Sequence, residues 1–385
     1  MGKERTGTRL LFHMKPMYKF IIVGLLGTFL AFLIWEWWNS HPKISPSSPL
    51  TSLNEFDKID SILQATVSHD ILAGLAIGIV KNGKVYYENG IGYSNLESKE
   101  PMTSQSLLPV ASVSKLFTAL TLSQIMIEKR ISQDDPISFL NIDKISLSSK
   151  GGKLSFKELL NHQSGLRDFS KIDRLFKIKS NPDLEGFGNS LIQNFPSLEE
   201  KTFHYADLNS DLIGFLLQKS TGIPFDSLVK TWVLEPAGMD STFFPRSWPT
   251  EKPQIAMGYR QTFLWKRLEP SPMRKEYLPS PSSGMISSVN DLSKAVIHFI
   301  RADLGIFQQS LDWLKAKGTD VPSGFQHIRI NNSSWLGHYG EQAGYSSLLI
   351  FNQQEKLGIV ILSNSRDNSD FRTNLAKKLI TQLMK

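Results

Sequence analysis

The chain has 385 residues, 41% hydrophobic and 21% charged, enough apolar sequence for one large packed domain or two smaller ones. It contains no cysteine, which excludes disulfides, thiolate metal sites and cysteine nucleophiles. The net charge is +7, of which residues 1–50 supply +4 (Lys3, Arg5, Arg9, Lys15, Lys19 and Lys43 against Glu4 and Glu36); no basic stripe with interleaved aromatics remains in the rest, which argues against nucleic-acid binding.

Phe20–Trp35 is an uncharged run of 16 residues. As a helix at ~1.5 Å per residue it spans roughly 24 Å, close to a bilayer core once Lys19 snorkels and Tyr18, Trp37 and Trp38 take the interfaces. The basic residues ahead of it predict a cytoplasmic N-terminus. No small-x-small cleavage site follows in "WEWWNSHPK", so residues 1–38 read as a cytoplasmic tail and a single-pass signal anchor, with membrane contact through residues 20–38; the alternative is signal cleavage and secretion. Residues 39–53, rich in Ser and Pro, predict an extended tether. The folded domain then runs over 54–385.

Phe56, Ile59, Ile62 and Leu63 have helical spacing and predict an opening helix. In "LAIGIVKNGKVYYENGIGYSN" two β-rich runs flank Asn82-Gly83, a hairpin signal. "ASVSKLFTAL", Ala111–Leu120, predicts the start of an amphipathic helix. From about 131 to 280 the pattern is mixed, with helical stretches such as Asp211–Lys219 between polar loops. "SSLLIFNQQEKLGIVILSN" reads as strand, turn, strand, and "DFRTNLAKKLITQLMK" as a terminal amphipathic helix. Strands near both ends with helices between them predict an α+β fold, in which the two ends share one antiparallel sheet flanked by helices around a mostly helical inserted subdomain.

Ser112-x-x-Lys115 is the first candidate for chemistry. On a helix, residues three apart lie on one face. A serine at a helix start sits near unpaired N–H groups, and a lysine walled by apolar side chains loses its proton more easily. The spacing alone decides nothing, because Ser40/Lys43 and Ser227/Lys230 repeat it, and Ser112 could equally be a helix cap beside a solvated lysine. Tyr205, two residues before Asp207, is a candidate proton shuttle or a core tyrosine. The turn "GHYGEQAG", with His338, Gly340 and Gly344 ahead of a strand, marks a close backbone approach to a ligand or a plain Gly-rich turn. A triad of His162, Ser164 and Asp168 is rejected in favour of a structural histidine.

Together these phrases resemble the serine β-lactamase and penicillin-binding-protein superfamily, in its class C-like branch of D-Ala-D-Ala carboxypeptidases, D-amino-acid peptidases and esterases. "VASVSKLFTAL" is similar to its first motif, "HYADLN" to Tyr-x-Asn, and "GHYG" to the His-Thr-Gly form of Lys-Thr-Gly. "LSFKELLNHQSGLRDF" and "PSSGMISSVNDLSKAV" resemble two scaffold phrases. The match runs from about 54 to 385. The resemblance implies that Ser112 is the acylated nucleophile and Lys115 takes or relays its proton. It implies that Tyr205 is general base and then acid, and that Asp207 orients Lys115 and the substrate amide. His338 would hold substrate or tune Tyr205, and the backbone N–H groups of Ser112 and of Glu341, just after Gly340, would form the oxyanion hole. No metal or organic cofactor is implied.

Four departures carry consequences. Asp207 replaces Asn and favours a protonated Lys115. Tyr339 replaces Thr or Ser, which narrows the site or changes carboxylate recognition. Ala206 replaces Ser with little effect. His338 replaces the Lys of β-lactamases and grips a carboxylate less firmly. The expectation is therefore a serine hydrolase of the bacterial inner membrane with its catalytic domain in the periplasm. It would act on peptide, amide or ester substrates more than on β-lactams; a true β-lactamase and a catalytically silent recognition or scaffold protein are the alternatives. Substrate identity and oligomeric state are not legible in the sequence.

Overall fold

The computed structural model of the chain describes residues 16–45, 55–140, 148–149, 152–168, 183–193, 201–246, 255–273, 280–301, 305–315 and 321–384. Helix α1 (Pro16–Trp38) contains the apolar run and is followed by α2 (Glu55–His69). Strands β1 (Gly74–Lys81) and β2 (Lys84–Asn95) form the hairpin that Asn82-Gly83 signals. Both turn residues take positive φ, 55° and 70°, which this dipeptide adopts at least steric cost. A short strand, β3 (Glu100–Pro101), pairs with β2.

Helices α3 (Ser114–Lys129) and α4 (Asp207–Thr221) dominate the middle of the chain, with shorter helices at Phe156–Leu160, Leu184–Gln193 and Phe225–Val229. A small hairpin, β4 (Tyr259–Gln261) with β5 (Leu268–Pro270), lies in the region that the sequence reads as helices and loops. Its strands are three residues each, too short for a period-2 pattern to register. Helix α5 (Val289–Ile300) precedes four antiparallel strands: β6 (Gln326–Ile330), β7 (Ser333–Gln342), β8 (Tyr345–Asn352) and β9 (Leu357–Ser363). Helix α6 (Phe371–Leu383) closes the described chain.

The main sheet has seven strands in the order β6-β7-β8-β9-β1-β2-β3, every neighbouring pair antiparallel. Pairing of β1 with β9 joins the two ends of the domain, as the strand distribution predicts. The nearly unbroken apolar runs of β1, β8 and β9 follow from burial of both sheet faces. Leu75, Ile77, Ile79, Ile359 and Ile361 pack with α2 and α6. The intervening Ala76, Val80, Val360 and Leu362 pack with α3, α4 and α5, as the strand period requires.

One element departs from its expected character. Helix α3 is buried at every position from Ser114 to Met126, so it is a central helix and not an amphipathic one. Its polar residues are hidden because their hydroxyls find backbone carbonyls: Thr118 donates to Pro281, Thr121 to Phe117 and Ser123 to Leu120. A pattern that reads polarity as exposure misses such satisfied groups.

Candidate active site

Ser112 lies in a single 3₁₀ turn, Ala111–Val113, two residues ahead of α3. It is therefore not the cap of α3, whose N-cap is Val113. Ala111 takes φ +48°, a left-handed conformation that costs a non-glycine residue about 1 kcal/mol or more. Neighbours hold this turn from several sides. Ser114 Oγ donates to the Ala111 carbonyl (2.6 Å) and accepts from the Met285 amide (3.0 Å). The Val110 carbonyl accepts from Ser347 Oγ on β8 (2.7 Å).

Lys115 reaches back from the first turn of α3 and is 3% exposed. Its Nζ donates to Ser112 Oγ (3.0 Å), Asp207 Oδ1 (2.7 Å) and the Ser282 carbonyl (3.0 Å). An ammonium has three donors and no acceptor, so this cage matches the charged form. Burial alone would push Lys115 down, but the Asp207 carboxylate, with help from Tyr205, outweighs it and holds the pKa above its ordinary value. The expected effect of an aspartate at position 207 is thus present in the geometry. Ser282 is a partner that the motifs do not reveal; its own amide donates to Asp211 Oδ1 (2.9 Å), which fixes the loop that offers the carbonyl.

Tyr205 and Asp207 flank the start of α4. The Tyr205 ring stacks on His162 at 4.4 Å and lies 6.2 Å from the His338 ring, with Lys115 Nζ 5.0 Å from its centroid. His162 Nδ1 accepts from the Ala206 amide (3.2 Å) and lies 3.1 Å from Asn209 Nδ2. Ser164 Oγ meets the Asn209 side-chain oxygen. Asp168 accepts the Asp207 and Leu208 amides at 3.1 Å each, capping α4 from outside the helix. The three residues of the rejected triad thus hold the Tyr205 segment and make no relay. Burial, then the Lys115 charge, brings His162 down to about 4.

On β7 the side chains alternate about the sheet. Tyr339 turns away from Ser112: its hydroxyl lies 2.8 Å from Thr373 on α6 and its ring 5.4 Å from the Arg372 guanidinium. The expectation that Tyr339 narrows the site is corrected, because the sheet separates its ring from the serine. His338 is buried, and its Nδ1 contacts the Tyr339 carbonyl (2.5 Å). Burial, then the Lys115 charge, brings it down to about 3, so the imidazole is neutral at neutral pH.

Gly340 lies against the serine turn. A Cβ there would come 2.3 Å from the Val110 carbonyl oxygen and 3.1 Å from the Ser112 nitrogen. Pairing of β7 with β6 ends at Gly337, and the next amide on that edge, of Tyr339, is met by the Gln326 side chain. The Glu341 amide, two residues on, points to the same edge. The Glu341 amide thus leaves β7 on that free edge, directly after Gly340, which itself lies against the Ser112 amide. Arg372 on α6 braces this strand by donating to the Gly340 and Ser347 carbonyls and pairing with Glu341 and Asp367. Nothing in the sequence distinguishes Arg372 from the solvated basic residues of the same helix.

Ser112, Lys115, Tyr205, Asp207, His338 and Gly340 therefore meet in one place, with Glu341 at its edge. Neither other repeat of the spacing joins them: Ser227 Oγ accepts from Arg246 and Lys230 pairs with Glu235, while Ser40 Oγ donates to the Trp37 carbonyl and accepts from Arg267.

Residues 59–382 match the sequence profile of the Beta-lactamase family. The chain is similar to Protein flp of Staphylococcus aureus (strain MW2), 26% identical over 345 residues, covering 85% of this chain and 66% of that relative's length. In three dimensions it resembles the octameric penicillin-binding protein homologue from Pyrococcus abyssi, with a TM-score of 0.71 at 24% identity over 86% of this chain and 78% of that one. It also resembles the D-amino acid amidase from Ochrobactrum anthropi SV3 in complex with L-phenylalanine amide, with a TM-score of 0.66 at 20% identity over 86% of this chain and 96% of that one. The fold is the β-lactamase-like one, an antiparallel sheet flanked by helices.

Proposed function

This chain belongs to the Beta-lactamase family, and from that premise we propose that it is a membrane-anchored serine hydrolase that forms an acyl-enzyme on Ser112. The observation that carries the reading is Lys115 Nζ, bonded at once to Ser112 Oγ and to Asp207 within a buried cage. In the reactive form the Lys115–Tyr205 pair lacks one proton. The cage keeps the positive charge on Lys115, so the acceptor is the Tyr205 oxygen.

Ser112 Oγ then gives its proton to Tyr205 and bonds to the acyl carbon of the substrate. The Ser112 and Glu341 amides stabilise the oxyanion, each donor being worth about 3–4 kcal/mol in such sites. The scissile C–N or C–O bond breaks as Tyr205 returns the proton to the leaving group. Water repeats the sequence in reverse on the acyl-enzyme.

Small amides, peptides ending in D-amino acids and esters fit this chemistry. The resemblance to a D-amino acid amidase agrees with it. A neutral His338 presents no charge to a substrate carboxylate, which favours uncharged amides and esters over β-lactams and other carboxylate-bearing substrates. The span Phe20–Trp38 anchors the chain in the bacterial inner membrane, with the domain on the periplasmic side.

Mass spectrometry after treatment with a fluorophosphonate or a labelled penicillin should show one adduct, on Ser112. Ser112→Ala should lose the adduct and at least about 10³-fold in turnover across D-Ala-D-Ala peptides, D-amino-acid amides and p-nitrophenyl esters. No adduct on an intact domain, with unchanged activity in the variant, identifies a recognition protein instead; rapid nitrocefin turnover identifies a β-lactamase.

A further inference from the structure

The β4–β5 hairpin carries a tip that the hydrolase site does not use. Phe263, Leu264 and Trp265 are consecutive and 76%, 51% and 43% exposed, followed by the exposed cation Lys266. An apolar tip of this kind on a water-soluble surface calls for a partner.

The tip is fastened to the last turns of α1. Trp265 Nε1 donates to the Leu33 carbonyl (2.9 Å), and the Phe263 amide donates to the Glu36 carboxylate (2.5 Å). Arg267 donates to the Ser40 hydroxyl and carbonyl and lies over the Trp37 ring at 5.0 Å. His41 and Leu268 exchange both backbone hydrogen bonds (2.7 and 2.8 Å). The first residues of the Ser/Pro segment are therefore seated on the domain.

Two observations specify the partner. Leu33 lies five residues inside the C-terminal end of the Phe20–Trp38 span, or about 7–8 Å along the helix axis. A side chain bonded to its carbonyl shares that depth, where a bilayer changes from headgroups to acyl chains. Glu36, the one acidic residue of the span, is only 2% exposed and meets loop amides. A charge at the edge of a bilayer needs such partners.

We propose that Phe263–Leu264–Trp265 inserts into the outer interface of the same bilayer that α1 crosses, so that the hydrolase domain rests on the lipid surface. Aromatic residues with an adjacent cation suit that layer. The inference rests on the membrane-anchored reading proposed above. The Tyr259 amide at the root of the hairpin donates to the Gly344 carbonyl (3.3 Å) in the β7–β8 turn, so the hairpin is tied to the strand that carries Gly340.

The absence of cysteine makes the test direct. Full-length Leu264→Cys and Ile34→Cys, and Lys356→Cys in the β8–β9 turn, each labelled with bimane, are reconstituted into phosphatidylethanolamine–phosphatidylglycerol vesicles. Nitroxide lipid and aqueous iodide are the quenchers. Lipid quenching at 264 should equal that at 34, while 356 responds only to iodide. Lipid quenching at 34 with none at 264 overturns the inference and leaves the anchor standing. If position 264 is shielded from both quenchers, a protein covers the tip and the inference is wrong. No lipid quenching at 34 removes the anchor, and the inference with it.

Discussion

Lys115 decides how the catalytic residues share their protons. Its ammonium has a bond for each donor, to Ser112, Asp207 and Ser282, and Asp207 together with Tyr205 more than offsets the cost of burying it. Asp207→Asn removes that charge and lowers the Lys115 pKa. If the working form carries an ammonium beside Tyr205, the alkaline limb of kcat/KM moves to lower pH in the variant, with activity near pH 7 reduced. If instead a neutral Lys115 were the base, the same change would raise activity near pH 7; pH–rate profiles of the two proteins separate the cases. The influence of Asp207 was legible because a carboxylate replaces an amide in a phrase otherwise similar to the family motif. The Ser282 carbonyl was not, because a backbone acceptor leaves no mark on composition.

The site is assembled where two elements press together, the serine turn and β7. Their approach depends on Gly340, since a Cβ would lie 2.3 Å from both the Val110 carbonyl oxygen and Ser347 Oγ. Gly340→Ala must push β7 away from Ser112 and spoil the alignment of the two amides. We expect kcat to fall by roughly 10²–10³ with a smaller change in KM, as for loss of an oxyanion donor. Active-site titration with a fluorophosphonate corrects for any misfolded fraction; an unchanged kcat per titrated site would remove Glu341 from the oxyanion hole. Hairpins and terminal strands could be read from Asn82-Gly83 and from β-rich runs, since turn chemistry and burial are local. Arg372, which braces the Gly340 carbonyl from α6, and Asp168, which caps α4, act across long sequence separations. Each looks like an ordinary surface charge until the fold brings it to its partner.

At the scale of the whole molecule, the sharing of one sheet by both chain ends followed from where the strands lie. The seating of α1 on the β4–β5 hairpin did not, because Glu36 finds its partner 227 residues away. Burial of two histidines in the wall behind Tyr205 sets a further property of the whole domain, its acid stability. His338 is brought down to about 3 and His162 to about 4, both chiefly by burial, against about 6.5 in the unfolded chain. Above pH 6.5 neither state binds these protons and the contribution to stability is complete. Between pH 6.5 and about 4 the unfolded chain takes them up and the folded one does not. Each histidine then lowers stability by up to about 1.4 kcal/mol per pH unit, and the loss levels off below the folded values. Lys115 acts in the opposite sense: its raised pKa contributes below its unfolded value and is lost only in strong alkali. Thermal unfolding of the detergent-solubilised chain should be flat from pH 8 to 7 and fall steeply from pH 6 to 4.5. His338→Asn removes one of the two groups and should flatten that slope, whatever it does to stability at pH 8. Equal slopes in the two proteins would assign the acid sensitivity to carboxylates elsewhere in the domain.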